Sequence, residues 1–493
     1  MNRSSYASLP ERFFARISPT PVAKPRLLKF NQALGAELRL DLEGQSAEAL
    51  AGLFSGNVIA PGLEPIAMAY AGHQFGQFVP QLGDGRAILL GEAIDNAGVR
   101  RDIQLKGSGR TPYSRGGDGR AALGPVLREY LVSEAMHALG IPTTRALAAV
   151  STGESVFREQ GALPGAIVTR VAAGLVRVGT FQYFAARNDI EALRMLADYV
   201  IRRHYPQLQG ADKPYLELLR AVIGAQASLI ASWMNVGFIH GVMNTDNMTV
   251  SGETIDFGPC AFMDAYDSAA VFSSIDRQGR YAFGNQPQAG VWNLARLAET
   301  LLPLIDDESE RAVKLATEAI SAFAEAFAAA RLEGLRRKLG LATHEAGDSA
   351  LAQELLDAMQ RNHADFTLTF RGLCEAAESQ QAGAPLADAP LGRLFENPQE
   401  YARWATRWRV RLAREPGILG ERAAAMRRVN PGVIPRNHRI EQVIGAAVEA
   451  DDFAPFNKMS MALSRPYQPL EGFESYAEPP LPNERVLQTF CGT

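Results

Sequence analysis

The amino-acid sequence predicts an α+β fold of two lobes, a strand-rich lobe followed by a helical lobe, with further helices after them. Up to about residue 183, short apolar runs are separated by Gly and Pro, which is typical of strands and tight turns. From about residue 190, apolar residues recur every three or four positions, which is typical of amphipathic helices. We expect the functional site in the cleft between the two lobes.

The composition limits the class of protein to which the chain can belong. Of the 493 residues, 47% are apolar, so the chain can bury a large core. The net charge is −4 and no basic block is present, so we expect neither a nucleic-acid partner nor a membrane partner. Three cysteines are too few for a disulfide framework, which indicates a reducing, cytoplasmic location. We expect a monomer.

Each element of the first lobe follows from a local pattern. Four prolines within residues 1–30 prevent a continuous helix there, and two apolar arms flank Gly83-Asp84-Gly85 in the manner of a hairpin turn. Helical spacing that ends at Gly140 and Pro142 predicts a helix before them. The predicted elements are a surface-wrapping arm (1–30), a hairpin (80–93), a strand (102–106), a glycine-rich loop (114–120), a helix (122–139) and short strands (143–183).

The rest of the chain is predicted to be helical apart from one loop. A loop and strand pair over residues 240–258 interrupts the helices, and a link rich in Gly, Ala and Pro lies near residues 380–390. Long helices are predicted over about 289–304, 308–338 and 350–378. We divide the chain into a strand-rich first lobe with its arm (1–185), a helical second lobe that contains this loop (186–340) and a helical C-terminal elaboration (341–493).

One stretch has the spacing of a phosphoryl-transfer site. His240 is followed by Asn247, and Asp256-Phe257-Gly258 comes nine residues later. Protein kinases read H-R-D-x-x-x-x-N and then D-F-G, in which the Asn and the second Asp hold Mg²⁺. The motif order therefore predicts a bilobal protein-kinase-like fold, with Asn247 and Asp256 as metal ligands. The position of the kinase base is Val242, which cannot accept a proton, and Asp246 is the nearest replacement carboxylate.

The first lobe supplies the other candidate residues. Lys106 ends the predicted strand, and Glu129 on the next helix is the candidate partner for an ion pair. If the kinase-like topology holds, four cations converge on one cleft, and such an excess of positive charge suits a polyphosphate. Glycines allow the main chain to approach phosphate closely. The candidate nucleotide-binding residues are Gly83, Gly85, Arg86, Lys106, Asp118, Gly119, Arg170, Arg177 and Asp256.

These motifs, in this order, resemble the selenoprotein O family, which are kinase-like proteins described as pseudokinases that act as protein adenylyltransferases. The similar stretches are LPERFF, LGDGR, QLKGSGRTPYSRGGDGRAALGPVLREYLVSEAM, HGVMNTDNM, IDFGPCAFMDAY and NPGVIPRNHRIEQVI. The resemblance implies that ATP binds in the orientation opposite to that in kinases. AMP, or UMP from UTP, would then pass to Ser, Thr or Tyr hydroxyls of proteins with release of pyrophosphate. It also implies Mg²⁺ or Mn²⁺ on Asn247 and Asp256, and Asp246 as the proton acceptor.

Two other functions and one regulatory contact remain open on the sequence. Asp246 could serve as the base of a phosphotransferase, or the chain could be a non-catalytic scaffold that binds nucleotide. The family often ends with a cysteine or selenocysteine, and here Cys491 lies three residues from the end. The resemblance therefore suggests a redox-sensitive disulfide from Cys491 to another cysteine such as Cys260.

Overall fold

A computed structural model describes residues 1–159, 161–379, 389–417, 419–469 and 471–490. The strands are β1 (Phe14–Arg16), β2 (Arg26–Phe30), β3 (Ile66–Met68), β4 (Gly72–Gln74), β5 (Gln77–Val79), β6 (Ala87–Ile94), β7 (Arg100–Lys106), β8 (Ala121–Ala122), β9 (Arg145–Arg158), β10 (Gly161–Ala172), β11 (Phe238–Ile239) and β12 (Ala261–Phe262). The helices are α1 (Gln32–Glu37), α2 (Ala47–Ser55), α3 (Leu123–Ala138), α4 (Val178–Ala185), α5 (Ile190–His204), α6 (Pro214–Asn235), α7 (Gln286–Ile305), α8 (Ser309–Leu339), α9 (Asp348–Arg361), α10 (Phe366–Ser379), α11 (Ala389–Gly392), α12 (Pro398–Leu412), α13 (Leu419–Arg427), α14 (Asn437–Ala450) and α15 (Ala454–Leu463).

Most strands form one antiparallel sheet, which confirms the prediction of a mixed fold with strands first. Its order is β1-β3-β6-β7-β10-β9-β2, with β8 paired to β10. Helix α3 packs on β9 and β10, while α2 covers other residues of the sheet through Phe54, Ile103 and Val150. Strand β6 is buried along nearly its whole length, which means that both of its faces are covered by other parts of the protein.

The predicted hairpin over residues 80–93 is wrong. Strand β5 pairs with β4, whereas β6 pairs with β3 and β7, so the Gly83-Asp84-Gly85 segment joins two strands that are not partners. The cause is the Asp84 carboxylate, which is buried and accepts hydrogen bonds from the Met68 backbone and the Gln104 side chain at 3.1 Å each. These contacts turn the segment inward instead of back along β5.

The other local predictions differ in outcome. The strand over 102–106 and the helix over 122–139 are confirmed as β7 and α3. The strands predicted over 143–183 end at Ala172, and α4 begins at Val178. Residues 240–258 contain isolated bridges and one 3-10 turn, Thr245–Asn247, while the strand pair, β11 with β12, flanks this loop and closes its base. The helix predicted over 350–378 is split into α9 and α10, because the backbone at His363 is left-handed and Asp365 caps α10.

The helices that follow the sheet are built around α6, which packs against both α7 and α8. Its buried residues include Leu219, Val222 and Ile230. Trp233, near the end of the helix, donates a hydrogen bond to the Thr254 hydroxyl at 2.8 Å and so anchors the loop that follows β11. In the described ranges, no helix is both long and apolar enough to cross a membrane.

The C-terminal helices are tied to the loop after β12 by one buried arginine. Arg436 is fully buried, and its guanidinium donates to both oxygens of Asp365 at 2.8 and 3.2 Å and also to Asp264. Its Nε donates to the Ala477 carbonyl at 3.1 Å. One cation therefore joins four separate segments of the chain.

We expect Arg436→Met to lower the free energy of unfolding by about 3 kcal/mol or more, because it leaves buried carboxylates without their cation. Urea unfolding followed by circular dichroism measures the change. Arg403→Met, on the exposed side of α12, is the control and should shift the free energy by no more than about 0.5 kcal/mol. Equal midpoints for the two variants would contradict the role of Arg436.

Candidate active site

Four charged side chains from three elements and one loop meet in the cleft. Lys106 ends β7 and donates to Glu129 of α3 at 2.6 Å and to Asp256. Arg170 of β10 donates to the same Glu129 carboxylate at 2.9 and 2.5 Å and lies 3.4 Å from Asp256. The register places Arg170 beside Gln104, two residues before Lys106 on the neighbouring strand. The sheet therefore presents both cations to α3 and to the Asp256 loop.

The charges of this cluster compensate for burial. Burial acts to raise the pKa of the Glu129 carboxyl, but Arg170 and Lys106 hold that pKa below its usual value. Burial likewise opposes ionisation of Asp256, yet the charges of Lys106 and Arg170 hold its pKa well below its usual value. Asp256 also has a left-handed backbone, with φ of +67°. Both carboxylates are therefore ionised at neutral pH.

Arg86 adds a further cation to the same cavity. Together with Lys106, Glu129, Asp256 and Gly258 it lines a small pocket at the ends of the central strands β6 and β7. Its charge lowers the pKa of Asp256, but its guanidinium makes no ion pair or hydrogen bond with another residue of the described ranges. A half-buried arginine without a protein partner is available to an anionic ligand.

The glycines before Arg86 are required by close packing. Gly83 has φ of +75°, and a β-carbon there would lie 2.3 Å from the Tyr113 ring. A β-carbon at Gly85 would lie 2.8 Å from the Tyr113 carbonyl. Asp84 between them lies 3.6 Å from Arg177. The segment thus forms one wall of the cleft, although it is not a hairpin.

Asp118 and Gly119 do not join the charged cluster. The Asp118 carboxylate is exposed and pairs with Arg158 of β9 at 2.8 Å. Gly119 has φ of +67°, and a β-carbon there would lie 2.1 Å from the Gly109 carbonyl. In the described structure these two residues shape the loop before α3.

Arg177 connects the sheet side of the cleft to the loop that holds Asp246. Its guanidinium donates to the backbone carbonyl of Asp246 at 2.9 Å and lies over the Tyr70 ring, 4.4 Å from the ring centre. Its own backbone N–H donates to Thr180 at the start of α4. Arg177 therefore supports the position of Asp246 through the main chain.

Asp246 is buried, and one of its oxygens lacks a partner. Gln74 Nε2 lies 3.4 Å from Oδ2, whereas Oδ1 has no hydrogen-bond partner among the described residues. Burial raises the pKa of the Asp246 carboxyl to about 6. At neutral pH this group is largely ionised, yet it retains appreciable basicity, which suits a general base.

The loop residues before and after Asp246 are fixed by hydrogen bonds. His240 is buried, and its Nε2 lies 2.9 Å from the Ile255 carbonyl, so it holds the loop geometry. The Asn247 side chain donates to the Val242 carbonyl at 3.1 Å. That bond uses the amide nitrogen of Asn247 and leaves its oxygen available.

The oxygen donors of Asn247 and Asp256 suit a hard divalent cation. Mg²⁺ prefers carboxylate and amide oxygens, and it usually takes its remaining ligands from water and phosphate. Within the described ranges, no group of three or more His, Cys, Asp or Glu side chains could hold a metal ion by itself. Asn247 and Asp256 would therefore supply only part of the ligands of such a cation.

Sequence reasoning missed the hairpin that covers Asp246. Strands β4 and β5 are joined by Phe75 and Gly76, both with positive φ, which is the two-residue turn of a tight hairpin. The backbone N–H of His73 donates to the Thr245 hydroxyl at 2.7 Å, and a β-carbon at Gly72 would lie 2.6 Å from Asp246 Oδ1. The sequence signal for this hairpin was the stretch HQFGQFV, in which polar and apolar residues lie on both sides of a glycine.

The predicted disulfide lies partly outside the described residues, because Cys491 is not among them. Thr489 donates from its hydroxyl to the Pro259 carbonyl at 2.7 Å, one residue before Cys260. Cys260 itself is buried, and burial raises the pKa of its thiol to about 12. The pairing of Cys491 stays a prediction, and a buried Cys260 thiol is a poor nucleophile for it.

Comparisons with known proteins identify one family. The family described as protein adenylyltransferase SelO matches residues 2–464. A protein nucleotidyltransferase YdiU of Bradyrhizobium sp. is 64% identical over 492 residues, covering 100% of this chain and 99% of that protein. The YdiU of Rhizobium meliloti is 62% identical over 490 residues, covering 99% of each. That of Rhizobium rhizogenes is 63% identical over 490 residues, covering 99% of this chain and 96% of the relative.

We expect Asp246→Asn to stabilise the protein at about pH 7.5, by up to about 3 kcal/mol, because it removes a buried charge that lacks full pairing. The pKa of Asp246 is raised to about 6 in the fold, so the protonated form stabilises the fold at low pH, and this contribution is lost as pH rises through about 6. The gain in stability of Asp246→Asn should therefore be smaller at about pH 5 than at about pH 7.5. Unfolding midpoints at the two pH values measure it.

Asp118→Asn is the matched control for this measurement. The Asp118 carboxylate is paired with Arg158, so its loss should bring no gain in stability at either pH. An Asp246→Asn variant less stable than the unmodified protein at about pH 7.5 would contradict the argument from burial.

Proposed function

The chain belongs to the SelO family and is a nucleotidyltransferase, and from this premise we propose that it transfers AMP from ATP to Ser, Thr or Tyr hydroxyls of proteins. Pyrophosphate would be released. The observation that carries the proposal is the separation of two sets of groups. Three cations gather around Asp256 at the ends of central strands, whereas the buried carboxylate of Asp246, in the same loop, lies beneath a hairpin.

The cation cluster supports binding of the triphosphate from its far end. Lys106, Arg170 and Arg86 carry three positive charges, against two negative charges on Glu129 and Asp256. A net positive, partly buried cavity attracts phosphate oxygens. We propose that the β- and γ-phosphates occupy it, so that ATP lies in the orientation opposite to that in kinases. The α-phosphate would then face the side of the cleft that holds Asp246.

Asp246 would accept the proton of the incoming hydroxyl. Its Oδ1 has no partner, and its pKa of about 6 allows it to be ionised before the reaction and to hold a proton during it. The bond that forms joins the hydroxyl oxygen to the α-phosphorus, and the bond that breaks joins this phosphorus to the oxygen bridging the α- and β-phosphates. UTP in the same position would transfer UMP.

Asn247 and Asp256 are the residues that would hold Mg²⁺ or Mn²⁺ beside the phosphates. When bound, such a cation withdraws charge from the phosphate oxygens during substitution. Lys106 and Arg170 fix the Asp256 carboxylate through the ion cluster, and Val242 fixes the Asn247 amide.

We also propose the architecture behind this assignment. The two lobes would be those of a protein kinase, with residues 1–185 as the first lobe, 186–340 as the second and 341–493 as the C-terminal elaboration. The Asp118 and Gly119 loop would contact the nucleotide through its backbone, and Arg177 would approach the phosphates from the side of α4. The protein would act as a cytoplasmic monomer.

A phosphotransferase is the second candidate function, because the same Asp246 carboxylate could activate a hydroxyl for attack on the γ-phosphate. A non-catalytic scaffold is less well supported, since a scaffold has no need for the complete arrangement of Lys106, Glu129 and Asp256. The two proposed reactions differ in the atom that is attacked, which is the α-phosphorus in nucleotidyl transfer and the γ-phosphorus in phosphotransfer.

We expect acceptor proteins incubated with this protein, ATP and Mg²⁺ to gain about 329 Da, the mass of an AMP group, and not the about 80 Da of a phosphate. Intact-mass spectrometry measures the increment, and label on the α-phosphate, but not on the γ-phosphate, should stay with the acceptor. A gain of the smaller mass alone would replace adenylylation by phosphorylation.

Asp246→Asn is the control variant, and it should lower the transfer rate by about 10²–10⁴-fold because it removes the proton acceptor. In the unmodified protein the rate should rise with pH up to about 6 and then level off. A variant with full activity would remove Asp246 from the mechanism.

We expect Arg86→Gln to weaken ATP binding about tenfold and AMP binding much less, because only ATP carries the β- and γ-phosphates that the cluster would hold. Isothermal titration with each nucleotide measures the difference. Arg110→Gln, at an exposed position in the loop after β7, makes the same change of charge as a control. Equal losses for ATP and AMP in Arg86→Gln would contradict the proposed orientation.

A further inference from the structure

Two arginines lie against one tryptophan beside the hairpin that covers Asp246. The guanidinium carbon of Arg280 lies 4.7 Å from the Trp292 ring centre, and that of Arg296 lies 5.0 Å from it. Trp292 and Arg296 are on α7, four residues apart, whereas Arg280 comes from the loop before this helix. Cation–π contacts of this kind hold long side chains in place and reduce the entropy that they lose when they bind a ligand.

This Arg280–Trp292–Arg296 platform is in direct contact with the hairpin. The His73 ring meets the Trp292 ring edge to face at 5.1 Å, and Arg280 Nη1 lies 3.5 Å from the position of a β-carbon at Gly76. Gly76 is two residues from Gln74, whose amide lies 3.4 Å from Asp246. Two residues span at most about 7 Å, so the platform is a short distance from the proposed site of proton transfer.

The platform carries two guanidinium charges, and only that of Arg296 is ion-paired among the described residues, with Glu299 at 2.5 Å. The guanidinium of Arg280 lies over the Tyr281 ring, 5.8 Å from its centre, and the Nε atoms of both arginines are buried without a hydrogen-bond partner in the described structure. The nearby Asp276 carboxylate is buried and is used by the backbone N–H groups of Arg280 and Tyr281, at 2.9 and 2.7 Å.

His73 adds no charge to the platform near neutral pH. Burial lowers the pKa of this imidazole, and the charges of Arg296 and Arg280 lower it further, while Gln182 and Glu299 act in the opposite direction. The face that the platform presents is therefore cationic and aromatic. Exposed Phe78 on β5 extends it with an apolar edge.

We infer that the Arg280–Trp292–Arg296 platform binds an acidic segment of the protein substrate, next to the hydroxyl that is modified. The inference rests on the proposed function and adds a substrate class to it. An extended chain advances about 3.3 Å per residue, so a Glu or Asp three or four positions from the hydroxyl reaches the platform while the hydroxyl lies at Asp246. Charge-assisted hydrogen bonds from guanidinium to carboxylate would fix the direction of the chain.

The test uses the full-length protein, ATP labelled on the α-phosphate and a library of peptides, each with one central Ser, Thr or Tyr and random flanking residues. Asp and Glu should be enriched three or four positions from the modified residue. A peptide with Glu at those positions should then be modified about tenfold more efficiently than its Gln counterpart, measured as kcat/KM, with the difference falling at high salt.

Variants of the platform test whether it causes the preference for acidic residues. The Glu-to-Gln ratio should fall to about one in the double variant Arg280→Gln and Arg296→Gln, and Arg280→Lys, which keeps the charge but loses the planar guanidinium, should retain only part of it. Arg403→Gln, on exposed α12, makes a matched change of charge and should leave both the ratio and the rate unchanged. Unfolding midpoints of each variant report whether the fold is retained, and the ratio is compared only among variants that fold.

The outcomes separate this inference from the proposed function. Equal modification of the Glu and Gln peptides, or a ratio retained by a folded double variant, would overturn the platform's role and leave adenylylation intact. Failure to modify any peptide of the library, while folded proteins are modified, would also overturn it, because a linear acidic segment would then not be the determinant. Failure with every acceptor would overturn the proposed function itself.

Discussion

The charge cluster of Lys106, Glu129, Arg170 and Asp256 is the interaction on which the rest of the cleft depends. It joins two adjacent strands, one helix and the loop between β11 and β12. Each carboxylate would be costly to bury alone, and each is ionised only because cations from the sheet lie next to it. The Asp256 carboxylate is thus held by electrostatics, while Ile255 and Phe257 on either side of it pack in the apolar core.

Asp246, in contrast, is held in place without a cation paired to its carboxylate in the described structure. Its main chain is fixed by Arg177 and its side chain is enclosed by the hairpin, but no cation pairs with the carboxylate oxygens at ion-pair distance among the described residues. The two acidic groups of the cleft therefore have pKa values pushed in opposite directions, as is common where one carboxylate binds charge and another moves a proton.

Local patterns in the sequence were enough to predict the pair of Lys106 and Glu129, because a strand, a loop and a helix separate them in a way that a 23-residue spacing allows. They were not enough for Asp84, which looks like a turn residue and is instead drawn inward by Met68 and Gln104. The same limit applies to Asp118, whose partner Arg158 lies on a strand 40 residues away. Such contacts depend on tertiary packing, which composition and periodicity do not encode.

Two glycines set how far this cleft can be redesigned. A β-carbon at Gly72 would displace the Asp246 side chain, and a β-carbon at Gly179 would lie 2.1 Å from the Ala71 carbonyl and would move the backbone. Engineering of a new acceptor preference would therefore have to leave both glycines alone. The turn at Phe75 and Gly76 is constrained as well, since the Phe75 N–H donates to Asn244 Oδ1 at 3.0 Å and the Phe75 ring centre lies 5.4 Å from that of Tyr281, so a swapped loop would have to keep both contacts.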